Sequence, residues 1–274
     1  MPVAGATYGV VVKHGIFIAP FGRFADPHKL VDLAATAEES GWDGVFLWDH
    51  VLRNETNEII DAWVALGAMA AATTRIRLGP MVTPVPRRRP IKLAREILTV
   101  DLMSDGRLTV GVGSGTDSGG ELSRFDEIVD ARARGARLDE GLDIITALLE
   151  GETLAHVGEH FRVDGVSLEP RPAQQPRPPI WVAARGRAMK PVRRAARMEG
   201  IFPIEVDDDS FARMLDEIVA VRGDLDGFDV CLRTEYDGTI PAFASRGATW
   251  MLRGFPPVVE HEKVFDAVVH GPPR

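Results

Sequence analysis

A single cysteine, Cys231, stands in a chain of 274 residues. That excludes an intrachain disulfide and any cysteine-rich metal site. No stretch reaches the roughly eighteen consecutive apolar residues a membrane helix needs, and residues 1–15, MPVAGATYGVVVKHG, lack the long apolar core of a secretory leader. The expected setting is the cytoplasm, with no membrane contact.

Positive charge is the minority sign, because 32 Lys and Arg against 40 Asp and Glu leave a net charge of -8. That balance argues against a nonspecific nucleic-acid surface. Small anionic ligands need only a local basic group and stay open. His14, His28, His156, His160, His261 and His270 show neither HxH nor HExxH spacing, so no metal site is expected. A dinucleotide fingerprint is missing too: Gly111-Val112-Gly113-Ser114-Gly115 opens no helix on its last glycine, and no acidic residue follows a next strand.

The chain does hold enough apolar material, 45% of residues, for one large core, and residues 1–274 are read as a single domain. Its organising stretch is 77–115. An apolar run at 77–83 breaks into Pro84-Val85-Pro86 and three arginines, and Pro90 sits where the first turn of a helix tolerates a missing N–H. Ile91, Leu93, Ala94, Ile97, Leu98 and Leu102 recur at helical spacing, Ser104-Asp105-Gly106 turns, and 108–112 is a second buried run. Strand, helix and strand in this order predict a parallel crossover.

The same alternation runs along the chain. Residues 1–13 read as an extension, 15–20 as the first strand, and Asp26-Pro27 as a cap and helix start. Residues 44–48 give the second strand and 61–72 an alanine-rich helix; a long loop at 116–130 precedes a helix at 133–150. A hairpin at 156–170 is expected to turn at Asp164-Gly165. Strands follow at 180–184, 201–204, 229–232 and 249–252, with helices at 186–197, 211–221 and 261–269 and a short one after Pro241. Eight strand-helix steps come to about thirty-four residues each, which favours a closed α/β (β/α)8 TIM barrel over an open sheet.

The ligand site of such a barrel lies at the C-terminal strand ends. Phe21, Phe24, Asp49, His50, Thr83, Gly113-Ser114-Gly115 and Arg185-Gly186-Arg187 fall there. Asp49 and His50 are the acid/base candidates, the alternative being a turn cap and a packed ring. Gly113 to Gly115 either let a planar ring approach the backbone or only turn the loop. Ala184 to Arg187 read as an anion site at a helix opening, or as a basic first turn on a solvated face. Arg87, Arg88 and Arg89 either steer a polyanionic tail or form an ordinary surface run.

The segments AEESGWDGVFLWDH (37–50), RIRLGPMVTPVPRRRPIKLAREILTVDLMSDGRLTVGVGSG (75–115), RARGARLDEGLDII (132–145) and PPIWVAARGR (178–187) resemble the bacterial luciferase-like superfamily. The resemblance is dense from residue 14 to about 200. It implies a (β/α)8 barrel with a flavin or deazaflavin ring across the strand ends, FMN or coenzyme F420 as cofactor, and a small-molecule substrate. It also implies a homodimer through helices two and three, and a separate flavin or F420 reductase as possible partner. His50, preceded by Asp49, matches the position that contacts the ring in F420-dependent members. Gly79-Pro80-Met81-Val82 match a bulge carrying a non-proline cis peptide, expected here at Pro80–Met81, and Thr83 the polar ring contact after it. Ala184 to Arg187 match the phosphate-binding helix start.

Three departures accompany the resemblance. The late insertion loops and C-terminal helices are shortened, Arg185-Gly186-Arg187 replaces a glycine-serine phosphate loop, and Ser114 and Thr116 stand where sugar-phosphate dehydrogenases place a glutamate. Glu121 is the candidate replacement. The resulting readings are an oxidoreductase passing hydride between F420 and a small organic substrate, an FMN-dependent monooxygenase using dioxygen, and a catalytically silent flavin-binding barrel.

Overall fold

A computed structural model describes residues 12–273; the expected extension over 1–13 lies outside them up to residue 11. The chain alternates β1 (Lys13–Ile18), α1 (Pro27–Glu39), β2 (Gly44–Leu47), α2 (Ala62–Ala72), β3 (Arg77–Pro80), β4 (Thr83–Pro84), α3 (Pro90–Met103), β5 (Val110–Gly113) and α4 (Ala131–Leu149). A hairpin of β6 (Leu154–Val157) and β7 (Arg162–Val166) follows. The alternation resumes with β8 (Ile180–Arg185), α5 (Met189–Ala195), β9 (Gly200–Ile204), α6 (Asp208–Arg222), β10 (Asp229–Arg233), β11 (Trp250–Gly254) and α7 (His261–Val269).

The barrel strands run parallel in the order β3-β2-β1-β11-β10-β9-β8-β5-β4. β3 and β4 are two halves of one interrupted strand, so the wall has eight staves. Leu78 closes it by bridging Leu108, with the Thr109 N–H donating to Leu78 O at 2.9 Å. The TIM-barrel expectation holds.

Alternation sorts the side chains into two cores. Ile16, Ile18, Val45, Leu47, Val110, Val112, Ile180 and Val182 face the helices, meeting Leu30, Leu33, Leu93, Ile97 and Leu142. Phe17, Phe46, Met81, Trp181, Phe202, Cys231, Trp250 and Leu252 fill the barrel interior. Near the strand starts, Phe46, Trp181 and Trp250 form a triangle with ring centroids 5.4 to 5.8 Å apart. Gly44 and Gly200 make room for it, since a Cβ on Gly200 would lie 2.5 Å from Trp181 Cδ1 and one on Gly44 3.1 Å from Trp250 Cζ3. The barrel therefore has an aromatic floor.

Aspartates start the helices as their positions suggest: Asp26 accepts from the His28 amide and Asp61 from the Val64 amide, each at 2.9 Å.

Four local expectations are corrected. The first strand begins at Lys13 and ends at Ile18. The hairpin turns within 158–161 instead of at Asp164-Gly165, because Glu140 accepts the His160 and Phe161 amides and meets His156 Nε2, so a tertiary anchor overrides a local turn signal. The cis bond is Met81–Val82, one residue beyond Pro80–Met81. The helix expected from residue 186 starts at Met189, because Arg185 still pairs with Ile204 in the sheet and the Gly186 amide donates to Ile204 O at 2.9 Å.

Candidate active site

Above the aromatic floor the strands open into a mouth. Trp48 continues the inward face of Phe46, packs 5.4 Å from Phe17, and has a buried indole N–H with no partner among the described residues. His50 follows two residues later, its ring 6.0 Å from Trp48 and 6.1 Å from Phe21. Phe24 turns away instead and stacks on Phe265 of α7.

A network of buried charges holds the rim behind His50. Asp49 is 3% exposed and accepts from the Thr83 hydroxyl at 2.8 Å, from Arg88 at 2.8 and 3.1 Å and from Arg87 at 3.1 Å. Thr83 in turn accepts the Trp63 indole N–H at 2.9 Å. The other arm of Arg87 donates to Glu121 Oε2 at 3.0 Å, and Glu121 Oε1 lies 2.8 Å from His50 Nδ1. Glu121 is 1% exposed and also accepts the Val51 amide. A carboxylate only accepts, so Nδ1 carries the hydrogen and Nε2 of a neutral ring is left as an acceptor at the mouth.

The 116–130 loop brings Glu121 to this place. Asp117 accepts the Leu122 and Ser123 amides at 2.8 and 2.9 Å, and those bonds hold its carboxyl below the usual range. Arg134 on α4 donates to Ser114 O at 3.1 Å and to Val129 O, tying both ends of the loop.

The bulge after Pro80 turns Met81 into the interior core, where Val82 and Ala183 pack against it. A Cβ on Gly113 would come within 2.9 Å of Val82 and 3.6 Å of Ala183, and one on Gly79 would lie 1.8 Å from Thr109 O. The glycines thus serve first to bring the broken strand against β5.

The residues of the expected anion site have partners within the chain. Ala184 is buried, Arg185 pairs with Glu205 at 2.8 Å, Arg187 with Asp207 at 3.4 Å, and the Gly186 amide is already bonded. Among the described residues no cluster of three or more His, Cys, Asp or Glu is arranged for a metal ion, and no helix is long and apolar enough to cross a membrane.

Residues 8–235 match the family described as luciferase-like monooxygenase. The chain belongs to that family. Over 165 residues it is 36% identical to an F420-dependent glucose-6-phosphate dehydrogenase of Nakamurella multipartita, covering 59% of this chain and 48% of the relative. Over 157 residues it is 34% identical to the oxygenase component of a flavin-dependent trigonelline monooxygenase of Acinetobacter baylyi, covering 57% and 43%. The chain spans less than half the length of these two curated relatives. Among solved structures, monooxygenase RslO1 of Streptomyces bottropensis superposes with a TM-score of 0.71 at 26% identity, over 81% of this chain and 70% of that one. Luciferase-like relatives of this chain thus include both F420-dependent and flavin-dependent enzymes.

Within this luciferase-like barrel, Asp49, His50 and Thr83 come together as the sequence suggested, while Ala184 to Arg187 lie at the end of β8, three staves from β2, where Arg185 and Arg187 pair with Glu205 and Asp207. Sequence reasoning missed that Arg87 and Arg88 are internal partners of Asp49 and Glu121 rather than a surface run. Their partners lie 34 to 39 residues away, so charge patterning carries no signal for them.

Proposed function

We propose that this chain is an oxidoreductase whose barrel mouth holds coenzyme F420 and acts on a small organic substrate. The observation that carries the reading is His50, partly exposed beyond the end of β2, with Nδ1 engaged by the buried Glu121 and Nε2 unpartnered among the described residues. The mouth suits a planar ring: Val82, Gly113 and Ala183 pack together beside it, and Trp48 has a buried N–H that lacks an acceptor among the described residues. Gly79, Pro80, Met81 and Val82 would back the ring, Gly113 and Ser114 would flank it, and Ala184 to Arg187 would lie toward its phosphate, with Arg185 and Arg187 exchanging Glu205 and Asp207 for it. When bound, the deazaflavin supplies hydride transfer. The protein's part is to hold Nε2 of His50 as a proton donor or acceptor at the mouth, to keep Trp48 and Phe17 packed beneath, and to fix the rim through Asp49 and Thr83.

A second reading, an FMN-dependent monooxygenase fed by a separate reductase, is supported by the likeness to the Acinetobacter baylyi oxygenase component. Titrating the cofactor-free protein with oxidised F420 and with FMN, then repeating with His50→Ala, separates the two. F420 binding at least about tenfold tighter than FMN supports the first reading. Preference for FMN transfers it to the second, and binding of neither leaves a silent barrel.

The homodimer is proposed to form through α2 and α3. Every residue of α2 is apolar or glycine, Val64 on it is 75% exposed, and Leu102 and Met103 of α3 add exposed apolar surface. Val64→Glu is expected to produce monomers in analytical ultracentrifugation.

A further inference from the structure

One charged group in the mouth has no task in the site described above. Arg233 is the last residue of β10. On that strand Cys231 belongs to the interior core and Leu232 to the helix-facing one, so alternation turns Arg233 inward. Gly254 at the end of β11 makes room for its stem: a Cβ there would meet Arg233 Cδ and Cγ at 3.0 and 3.1 Å. Its guanidinium carbon stands 4.8 Å from the centroid of the Tyr236 ring. The stem and plane of this half-buried arginine are therefore fixed.

Its hydrogens are not used. The Arg233 side chain forms neither an ion pair nor a hydrogen bond among the described residues, whereas other arginines at the strand ends are engaged. Arg185 on β8 holds Glu205, and Arg87 and Arg88 hold Asp49. Arg253 of β11 likewise has no ion pair or hydrogen bond among the described residues, but it shares the outward face of Met251, lies over Phe255 and packs on Gly238, beside Asp237. A guanidinium held from behind with its donor fork free is organised for a bidentate oxyanion.

We propose that Arg233 anchors an anionic group, a carboxylate or phosphate, on the substrate of this site. The proposal rests on the mouth being the reaction site. β10 is three strand spacings from β2 round the wall, about 14 Å along it and less across the opening. The anionic group held at Arg233 and the carbon presented to His50 then belong to one small molecule spanning the mouth. The substrate class is a small organic acid or phosphate ester carrying its reactive carbon a few bonds from the charge.

The test is calorimetric titration of the full chain with benzoate, phenyl phosphate and the neutral benzyl alcohol. It is run cofactor-free and again after saturation with whichever of F420 and FMN binds. At least one anion is expected to bind about tenfold or more tightly than the alcohol, and the preferred anion distinguishes carboxylate from phosphate. Arg233→Gln should abolish that preference, Arg233→Lys should retain part of it, and Arg253→Gln should leave it unchanged. F420 or FMN affinity should stay within about twofold across the set. Equal binding of anions and alcohol, an unchanged preference in Arg233→Gln, or loss of cofactor affinity in that variant would each overturn the proposal. Failure of the unmodified chain to bind either cofactor would overturn the functional reading instead, while the anion comparison remains decisive for Arg233.

Discussion

Glu121 and His50 are 71 residues apart in sequence and meet at 2.8 Å, Oε1 to Nδ1, with the carboxylate buried beneath the imidazole. One hydrogen bond thus sets both the ring's orientation and its tautomer. Glu121→Gln should release that control: 15N spectra of the labelled imidazole should change from one dominant tautomer to a mixture. Turnover should fall by roughly ten- to a hundredfold, with cofactor affinity nearly unchanged. An unaltered imidazole spectrum would show that Glu121 does not position the ring.

Asp49 takes the opposite part, closing the rim and offering no free oxygen to the mouth. Asp49→Asn strips the charge that Arg87 and Arg88 share and leaves two guanidiniums under-compensated in a poorly hydrated place. The expected cost is about 3 kcal/mol, seen as a drop of roughly 5 °C in the thermal unfolding midpoint. A change of only a degree or two would mean that water replaces the carboxylate.

Much of the barrel was legible because it is written in local periodicity. Leu93, Ala94, Ile97 and Leu98 recur as a helix must to face a sheet, and all four are buried on α3. What could not be read has a common physical cause, distance along the chain. Arg87 and Arg88 look like surface charges until Asp49 and Glu121 are brought to them, and Asp164-Gly165 looks like a turn until Glu140 fixes another. Arg233 was readable in principle, since the alternation in DVCLR points it inward, but its lack of a partner is a three-dimensional fact.

Two glycines separate close packing from backbone freedom. Gly79→Ala would place a methyl 1.8 Å from Thr109 O across the closing seam of the barrel. A loss of at least about 3 kcal/mol is expected, read by urea unfolding or by failure to accumulate folded protein. Gly186 has a positive φ of 55°, and a methyl added there would meet nothing within 4 Å, so Gly186→Ala should cost only about 1 kcal/mol.

Glu38 predicts an acid transition. Burial alone would raise its pKa, yet the Ile76, Arg75 and Thr74 amides and the Thr74 hydroxyl bring it down to about 2. A carboxyl depressed in the folded state stabilises fully above its unfolded pKa of about 4.5. That contribution is lost as pH falls from there through about 2. Glu38→Gln should lower stability by about 2 kcal/mol at pH 7 and flatten this part of the pH profile. Identical slopes in variant and parent between pH 4.5 and pH 2 would refute the assignment.

The triangle of Phe46, Trp181 and Trp250 closes the barrel near its strand starts, so a well above it opens only at the C-terminal strand ends. Two molecules that use it cannot pass each other. Whichever lies deeper must arrive before its companion and depart after it, so an enzyme built on this well would show compulsory-order kinetics, with the outer occupant gating release of the inner one.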